Sequence, residues 1–63
     1  MTENNEMNDY RAMMIVDGIE EARDGEEYLA AWQHLIDTGL AWALNGWFGR
    51  NAEQMINWGL CTA

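Results

Sequence analysis

The chain has 63 residues and a mass of 7.2 kDa, which leaves room for one small domain. Eleven acidic residues oppose three basic ones, the net charge is −8, and there is no lysine. Because this charge repels phosphate backbones and anionic lipid, we expect neither direct nucleic-acid binding nor membrane-surface binding.

Helices are indicated along the whole chain, since apolar residues repeat at helical spacing and there is no proline. We predict an all-α fold, a compact bundle of three to four short helices. Residues 1–6 lack apolar anchors and are predicted to be disordered, which leaves residues 7–63 as a single helical domain. The first helix is predicted over residues 8–22, with Ile15, Val16 and Ile19 on its core face.

A capping box opens the predicted second helix, residues 25–37. In such a box the Asp24 carboxylate accepts a hydrogen bond from the backbone N–H of Glu27, and the Glu27 side chain reaches back. Gly39 is predicted to end this helix as a left-handed cap. Trp32 lies on the apolar side of the helix and is predicted to be buried in the core.

The predicted third helix, residues 40–44, is apolar on every side. A helix with no polar face must be buried, so we place it at the centre of the core together with Trp42.

Two glycines beside two aromatic residues mark residues 45–50, which we predict to be a tight connector. Asn51 and Gln54 have the spacing of a second capping box and predict a last helix over residues 52–58. Gly59 is predicted to close that helix in the same way as the glycine after the second helix.

Catalytic groups are scarce, since the chain has no serine and no lysine. Cys61 and His34 are the only pair that combines a nucleophile with a base, and Cys61 lies near the end of the sequence, where positioning is poor. His34 is expected to be an exposed or lightly hydrogen-bonded side chain near Asp37, with a pH-sensitive contact as the alternative. One cysteine and one histidine do not supply a structural zinc site. We therefore predict no enzymatic activity, no metal and no other cofactor.

The charge is concentrated in the first part of the chain. Ten acids and two arginines occur up to residue 37, after which only Arg50 and Glu53 are charged. We predict that this acidic helical face binds the basic surface of a partner. Its residues are Asp17, Glu20, Glu21, Asp24, Glu26 and Glu27.

A second candidate surface is apolar and aromatic, because tryptophan is a common interface anchor. Trp47 and Trp58 fit either a core or an interface. Arg50 precedes the predicted last helix, where a cation gains nothing from the helix dipole, so we expect it to have a carboxylate partner. That partner is Glu53, an acid of the first two helices, or an acid of another protein. The surface for partner binding or oligomer formation comprises Trp47, Phe48, Arg50 and Trp58.

A resemblance covers about half the chain. Residues 31–42, with the sequence AWQHLIDTGLAW, resemble a family of small acidic proteins of unknown function that tailed bacteriophages encode. The resemblance is extended by Leu44, Gly46, Phe48, Gly49, Arg50, Ala52, Gly59, Leu60 and Cys61. It implies a phage origin and no particular activity.

The compartment is indicated by three further features. A single cysteine excludes an intramolecular disulfide, no apolar stretch is long enough to span a bilayer, and the acidic N-terminus is unlike a signal peptide. We expect a protein of the host cytoplasm.

Two functions follow as hypotheses. The first is an interaction module that binds and modulates a host or phage protein, in one form a DNA mimic that inhibits a nucleic-acid-binding protein through its acidic face. The second is a structural, self-assembling subunit with no separate partner. In both cases we expect a homo-oligomer, since a domain of this size buries only about 60% of its unfolded surface and gains stability from a second subunit.

Overall fold

The computed structural model describes residues 7–63, which contain helices and no strand. This confirms the all-α bundle that the sequence predicts, whereas the disorder predicted for residues 1–6 lies outside the described residues. The helices are α1 (Asp9–Asp17), α2 (Gly25–Thr38), α3 (Leu40–Ala43) and α4 (Gly46–Asn57). α1 packs along α2, and α3 packs against both α2 and α4. Within residues 7–63, no helix has the length and apolarity needed to cross a membrane.

α1 ends earlier than the sequence predicts. Gly18 takes a left-handed conformation with φ of 84°, and its N–H and that of Ile19 bond back to the carbonyls of Ile15 and Met14 at 3.1 and 2.9 Å. This cap closes the helix at residue 17, so the predicted extension to residue 22 is wrong. Ile19, which we expected in the core, is 68% exposed because it lies beyond the cap.

α2 matches its prediction closely. Asp24 Oδ1 accepts a hydrogen bond from the Glu27 N–H at 2.9 Å, which confirms the first half of the capping box. The other half differs, since Glu27 Oε1 accepts from the N–H of Arg23, at 2.7 Å, instead of returning to Asp24. Gly39 has φ of 82° and its N–H bonds to the carbonyl of Ile36, so the predicted left-handed cap is confirmed.

α3 is a single turn and is not enclosed on all sides. Ala41 is fully buried, but Trp42 is 46% exposed, so its predicted place in the core is wrong. A Cβ built on Gly49 would lie 3.3 Å from Trp42 Cδ1, which shows that the indole ring lies against α4 where a glycine leaves space. Ala41, with Leu40 and Leu44 partly buried beside it, therefore provides the contact of α3 with the core, and Trp42 lies on the opposite, outer side.

α4 begins six residues before the predicted start. Asn45 Oδ1 accepts a hydrogen bond from the Trp47 N–H at 3.0 Å and caps the helix, so the predicted connector at residues 45–50 is mostly helix. The predicted capping box of Asn51 and Gln54 is therefore wrong. Asn51 lies inside α4, where its side-chain amide donates to the carbonyl of Trp47 at 2.8 Å.

The C-terminal segment folds back over α2. Gly59 has φ of 81°, which confirms the predicted cap and reverses the chain. Gln33 then fixes the segment with two hydrogen bonds to the backbone of Thr62, donating at 2.7 Å and accepting at 3.0 Å. This places Cys61 in the core, where it is 4% exposed. The buried apolar residues are Ala12, Ile15, Val16, Ala31, Trp32, Leu35, Ile36, Ala41, Phe48, Ala52 and Cys61.

Candidate functional site

An ion-pair cluster joins α1 to the start of α2. Arg11 on α1 donates from Nη2 to Glu27 Oε2 at 2.6 Å and from Nε to Glu20 Oε2 at 3.0 Å. The other carboxylate oxygen of Glu27 accepts from the Arg23 backbone and lies 3.5 Å from Arg23 Nε. The Glu27 side chain is 5% exposed, so this carboxylate is enclosed by its hydrogen-bond donors.

The charge state of this cluster follows from those donors. The pKa of the Glu27 carboxyl lies below its ordinary value, first because the Arg23 N–H donates to it and then because the Arg11 guanidinium does. The hydrogen bond to Glu27 likewise raises the pKa of Arg11, followed by the bond to Glu20. The pair is therefore charged at neutral pH, and it holds the α1–α2 connection in place.

This cluster changes the predicted acidic face. Glu27 does not lie on an exposed surface, because it is buried beneath α1 and 6% exposed. Glu20 is compensated by Arg11, so it adds no free charge. Of the predicted face, Asp17, Glu21, Asp24 and Glu26 are exposed and form no ion pair within residues 7–63; we call these four the acidic end. The sequence did not separate the two groups, since the partner of Glu27 lies sixteen residues away.

An open cleft lies at the acidic end and is lined in part by two of its residues, Asp24 and Glu26. It is lined by charged residues of the α1–α2 connection and the first turn of α2, with two apolar side chains: Met7, Arg23, Asp24, Glu26, Glu27 and Ala30. The cleft therefore carries both signs of charge and no nucleophile.

His34 and Cys61 lie in different environments. His34 Nε2 lies 2.6 Å from Asp9 Oδ1, which links α2 to the start of α1, whereas Asp37, the expected neighbour, accepts a hydrogen bond from Gln33. Burial raises the pKa of the Cys61 thiol, and the Asp37 charge adds to this effect. A buried thiol with a raised pKa is a poor nucleophile. Across residues 7–63, no cluster of three or more His, Cys, Asp or Glu side chains is arranged to hold a metal ion.

The predicted aromatic surface is only partly a surface. Phe48 is 6% exposed, so its assignment to a docking surface is wrong. Its ring packs edge-on against Trp47 at 5.0 Å and lies 6.3 Å from Trp32, which makes it part of the core. Trp47 and Trp58 remain 44% and 65% exposed. Both lie on α4 or at its end.

Arg50 has no carboxylate partner among residues 7–63. Glu53, three positions later, has no basic partner among the same residues. The ion pair that we predicted for Arg50 within the chain is therefore not formed with any described residue. Both side chains are exposed on α4. The second half of the molecule thus presents a cation and an anion that are unpaired within residues 7–63, together with the exposed indoles of Trp47 and Trp58 on or next to α4.

Comparison with known proteins identifies a family but no characterised relative. No curated protein and no solved structure is similar to the chain at a significant level. A family model described as a domain of unknown function, DUF7417, matches residues 4–63. The match includes all four helices and both candidate surfaces. The chain therefore belongs to the DUF7417 family.

Proposed function

We propose that this chain is a small interaction module without enzymatic activity, which binds a basic surface on another protein through its acidic end. The supporting observation is that Asp17, Glu21, Asp24 and Glu26, which lie between the end of α1 and the first turn of α2, are exposed and form no ion pair with the part of the chain that the structure describes. Carboxylates grouped in this way attract and orient a positively charged partner.

The support beneath the acidic end also favours this proposal. Asp24 is fixed as the cap of α2, and the buried pair of Arg11 and Glu27 holds the connection between α1 and α2. Because the Asp24 carboxylate and the backbone of this connection are held in place, less conformational entropy is lost when a partner binds.

The class of partner follows from the charge. Basic grooves occur in proteins that bind nucleic acid, so the preferred partner is a nucleic-acid-binding protein, and occupying its groove would inhibit it as a DNA mimic does. The resemblance to small phage proteins supports the further proposal that the chain is phage-encoded; with it we propose that the protein acts in the host cytoplasm and that its target is a host or phage protein.

The test compares two matched charge neutralisations. Glu21→Gln with Glu26→Gln removes two charges from the acidic end, and Asp37→Asn with Glu53→Gln removes two charges elsewhere. Each tagged variant is used to capture proteins from a bacterial lysate, with elution by increasing salt and identification by mass spectrometry. We expect a nucleic-acid-binding protein to be captured by the wild type and the second variant, and to elute from the first at lower salt. Equal elution from both variants would refute a role for the acidic end.

Self-assembly is a second candidate function, and a different observation favours it. Trp47, Trp58 and Leu60 are 44%, 65% and 48% exposed on or next to α4, in the half of the chain that carries no net charge. Apolar groups grouped in this way are typical of protein interfaces. Chains with a net charge of −8 repel one another least when they meet through this half.

A further inference from the structure

Four side chains along α4 and at its C-terminal cap form a pattern that is the same in both directions along the helix, and three of them are exposed while Asn51 is half-buried. Trp47, Asn51, Gln54 and Trp58 have the order aromatic, amide, amide, aromatic, with spacings of four, three and four residues. At about 100° per residue these four positions fall within an arc of about 60° on the helix surface. The buried Phe48 and Ala52 lie on the neighbouring arc. This row, which we call the α4 face, therefore borders the core: one side of the Trp47 ring packs against Trp32 and Phe48, and the residue is 44% exposed.

We infer that the α4 face binds the α4 face of a second copy of this chain in an antiparallel, two-fold symmetric pair. In a two-fold interface the same surface is used by both copies: if one residue contacts a second residue of the partner, the second contacts the first in return, so the surface must be complementary to itself. The palindromic row satisfies this condition. When two copies are aligned about the midpoint of the row, Trp47 lies opposite Trp58 of the second copy, and Asn51 lies opposite Gln54.

The amide groups at the centre of the row support this arrangement. Asn51 already donates to the carbonyl of Trp47, which fixes its side chain and leaves its Oδ1 free to accept. Gln54 is exposed and makes no side-chain hydrogen bond within residues 7–63. A glutamine amide of one copy can therefore donate to the asparagine oxygen of the other, and such pairs specify register in helical interfaces.

Charge complementarity provides an independent argument. Arg50 and Glu53 share the flank of the α4 face that points away from the core, and neither has a partner within the described part of the chain. In an antiparallel pair of helices related by a two-fold axis, identical flanks meet. Arg50 of each copy then faces Glu53 of the other, displaced by about 3 Å along the axis, which is within reach of both side chains. Two symmetric ion pairs result.

This inference refines self-assembly, the second candidate function, and does not depend on the acidic end. The first experiment is sedimentation equilibrium at about 0.15 M salt, at protein concentrations from about 10 μM to about 1 mM. We expect a monomer–dimer equilibrium. Trp58→Glu should raise the dissociation constant at least about tenfold. Tyr10→Glu is the matched control, because Tyr10 is 68% exposed on α1 and its change adds the same charge.

Charge reversal tests the antiparallel arrangement itself. Glu53→Arg takes the net charge from −8 to −6, so general repulsion between copies would decrease and association would become tighter. The inferred pair predicts the opposite, because Arg50 of each copy then meets an arginine, and dimerisation should weaken about fivefold. Arg50→Glu should weaken it as well. The combination of Arg50→Glu and Glu53→Arg restores the net charge and both ion pairs, so it should restore the wild-type dissociation constant.

Each outcome is decisive. A monomer at the highest concentration would overturn both the inference and self-assembly as a function. A dimer that Trp58→Glu leaves unchanged would overturn the α4 pairing and leave self-assembly standing. Tighter association of Glu53→Arg, or no recovery in the double variant, would overturn the antiparallel arrangement. Circular dichroism of each variant confirms that α4 is still folded.

Discussion

The two halves of the molecule, up to residue 37 and after it, each contain an exception to the usual rule that charged residues are exposed and large apolar residues are buried. In the first half, Glu27 is buried beneath Arg11 and acts as a structural element. In the second half, Trp42 and Trp58 are about half exposed or more, although tryptophan is a typical core residue in so small a domain. Composition alone therefore does not locate the surface of a small protein.

Much of the fold follows from local signals. Asp24 and Gly39 bound α2 because each acts within its own helical turn, and Gly59 ends α4 for the same reason. The end of α1 is harder to predict, because a glycine adopts a helical or a left-handed conformation at similar energy. Gly18 adopts the left-handed one, which ends α1 five residues before the predicted end.

The candidate surfaces depended more on long-range contacts. Whether Glu27 is exposed is decided by Arg11, which approaches only when α1 packs on α2. The exposure of Trp42 is decided by Gly49 on α4, which leaves space for the ring on the outside of the helix. Neither contact has a signal in the spacing of residues along the chain. The predicted acidic and aromatic surfaces therefore each include a residue that is buried, Glu27 and Phe48 respectively, and their roles in binding stay predictions.

The largest effect in the comparison is expected from Trp32, the aromatic residue on which the two halves meet. Trp32→Ala should cost about 3–5 kcal/mol, because the ring is 1% exposed and contacts Trp47 and Phe48 at centroid distances of 6.0 and 6.3 Å. That is comparable with the entire free energy of unfolding of a small domain, about 5 kcal/mol. The measurement is urea denaturation followed by circular dichroism, at a protein concentration low enough to keep the chain monomeric.

Trp58→Ala is the control for that experiment, since it makes the same chemical change at a residue that is 65% exposed. We expect it to change the free energy of unfolding by no more than about 0.5 kcal/mol. Equal losses in the two variants would mean that the halves do not differ in how they use tryptophan.

The next effect is expected at Glu27. Glu27→Gln should lower the melting temperature well below that of Glu26→Gln, because it leaves the Arg11 guanidinium without its buried carboxylate, whereas Glu26 is exposed. Thermal unfolding of both variants at neutral pH makes the comparison. Similar melting temperatures of the two variants would mean that Glu27 contributes no more to stability than the exposed Glu26 does.

The same carboxylate gives a pH dependence. Because the pKa of Glu27 is lower in the folded state than its ordinary 4.5, its contribution to stability is complete above that pH. It is lost as the pH falls from there through the lowered pKa. The stability difference between wild type and Glu27→Gln should therefore be constant at neutral pH and shrink below about pH 4.5. A difference that grows on acidification would contradict the assignment.

A smaller effect is expected at Gly39, which ends α2 and connects it to α3. Gly39→Ala should cost about 1–2 kcal/mol, because an alanine must adopt the left-handed conformation there. Gly25→Ala is the matched control: it lies in the first turn of α2 with no positive φ and open space around it, so we expect a gain of up to about 0.5 kcal/mol. Urea denaturation measures the free energy of unfolding of both variants. A Gly39→Ala variant as stable as the wild type would argue against a left-handed conformation at this position.

The smallest effect concerns Cys61. The C-terminal segment packs on α2 and brings Cys61 Sγ to 3.9 Å from the carbonyl oxygen of Leu29. Burial and the raised pKa predict that a thiol reagent labels the folded protein at least about tenfold more slowly than the protein unfolded in urea. Asp37→Asn should speed labelling slightly, since it removes a charge that disfavours the thiolate. Rapid labelling of the folded chain would show that the C-terminal segment is not held on α2.

We propose that the two halves have different surfaces for different contacts: the acidic end for a basic partner, and the α4 face for a second copy. Backbone amide NMR spectra recorded from about 10 μM to about 1 mM distinguish the two surfaces, because only the surface that binds a second copy changes with protein concentration. We expect concentration-dependent shifts at Trp47, Arg50, Gln54 and Trp58, with the amides of Asp17, Glu21 and Glu26 unchanged. Shifts centred on the acidic end, or spread evenly over both halves, would show that the two surfaces are not separate.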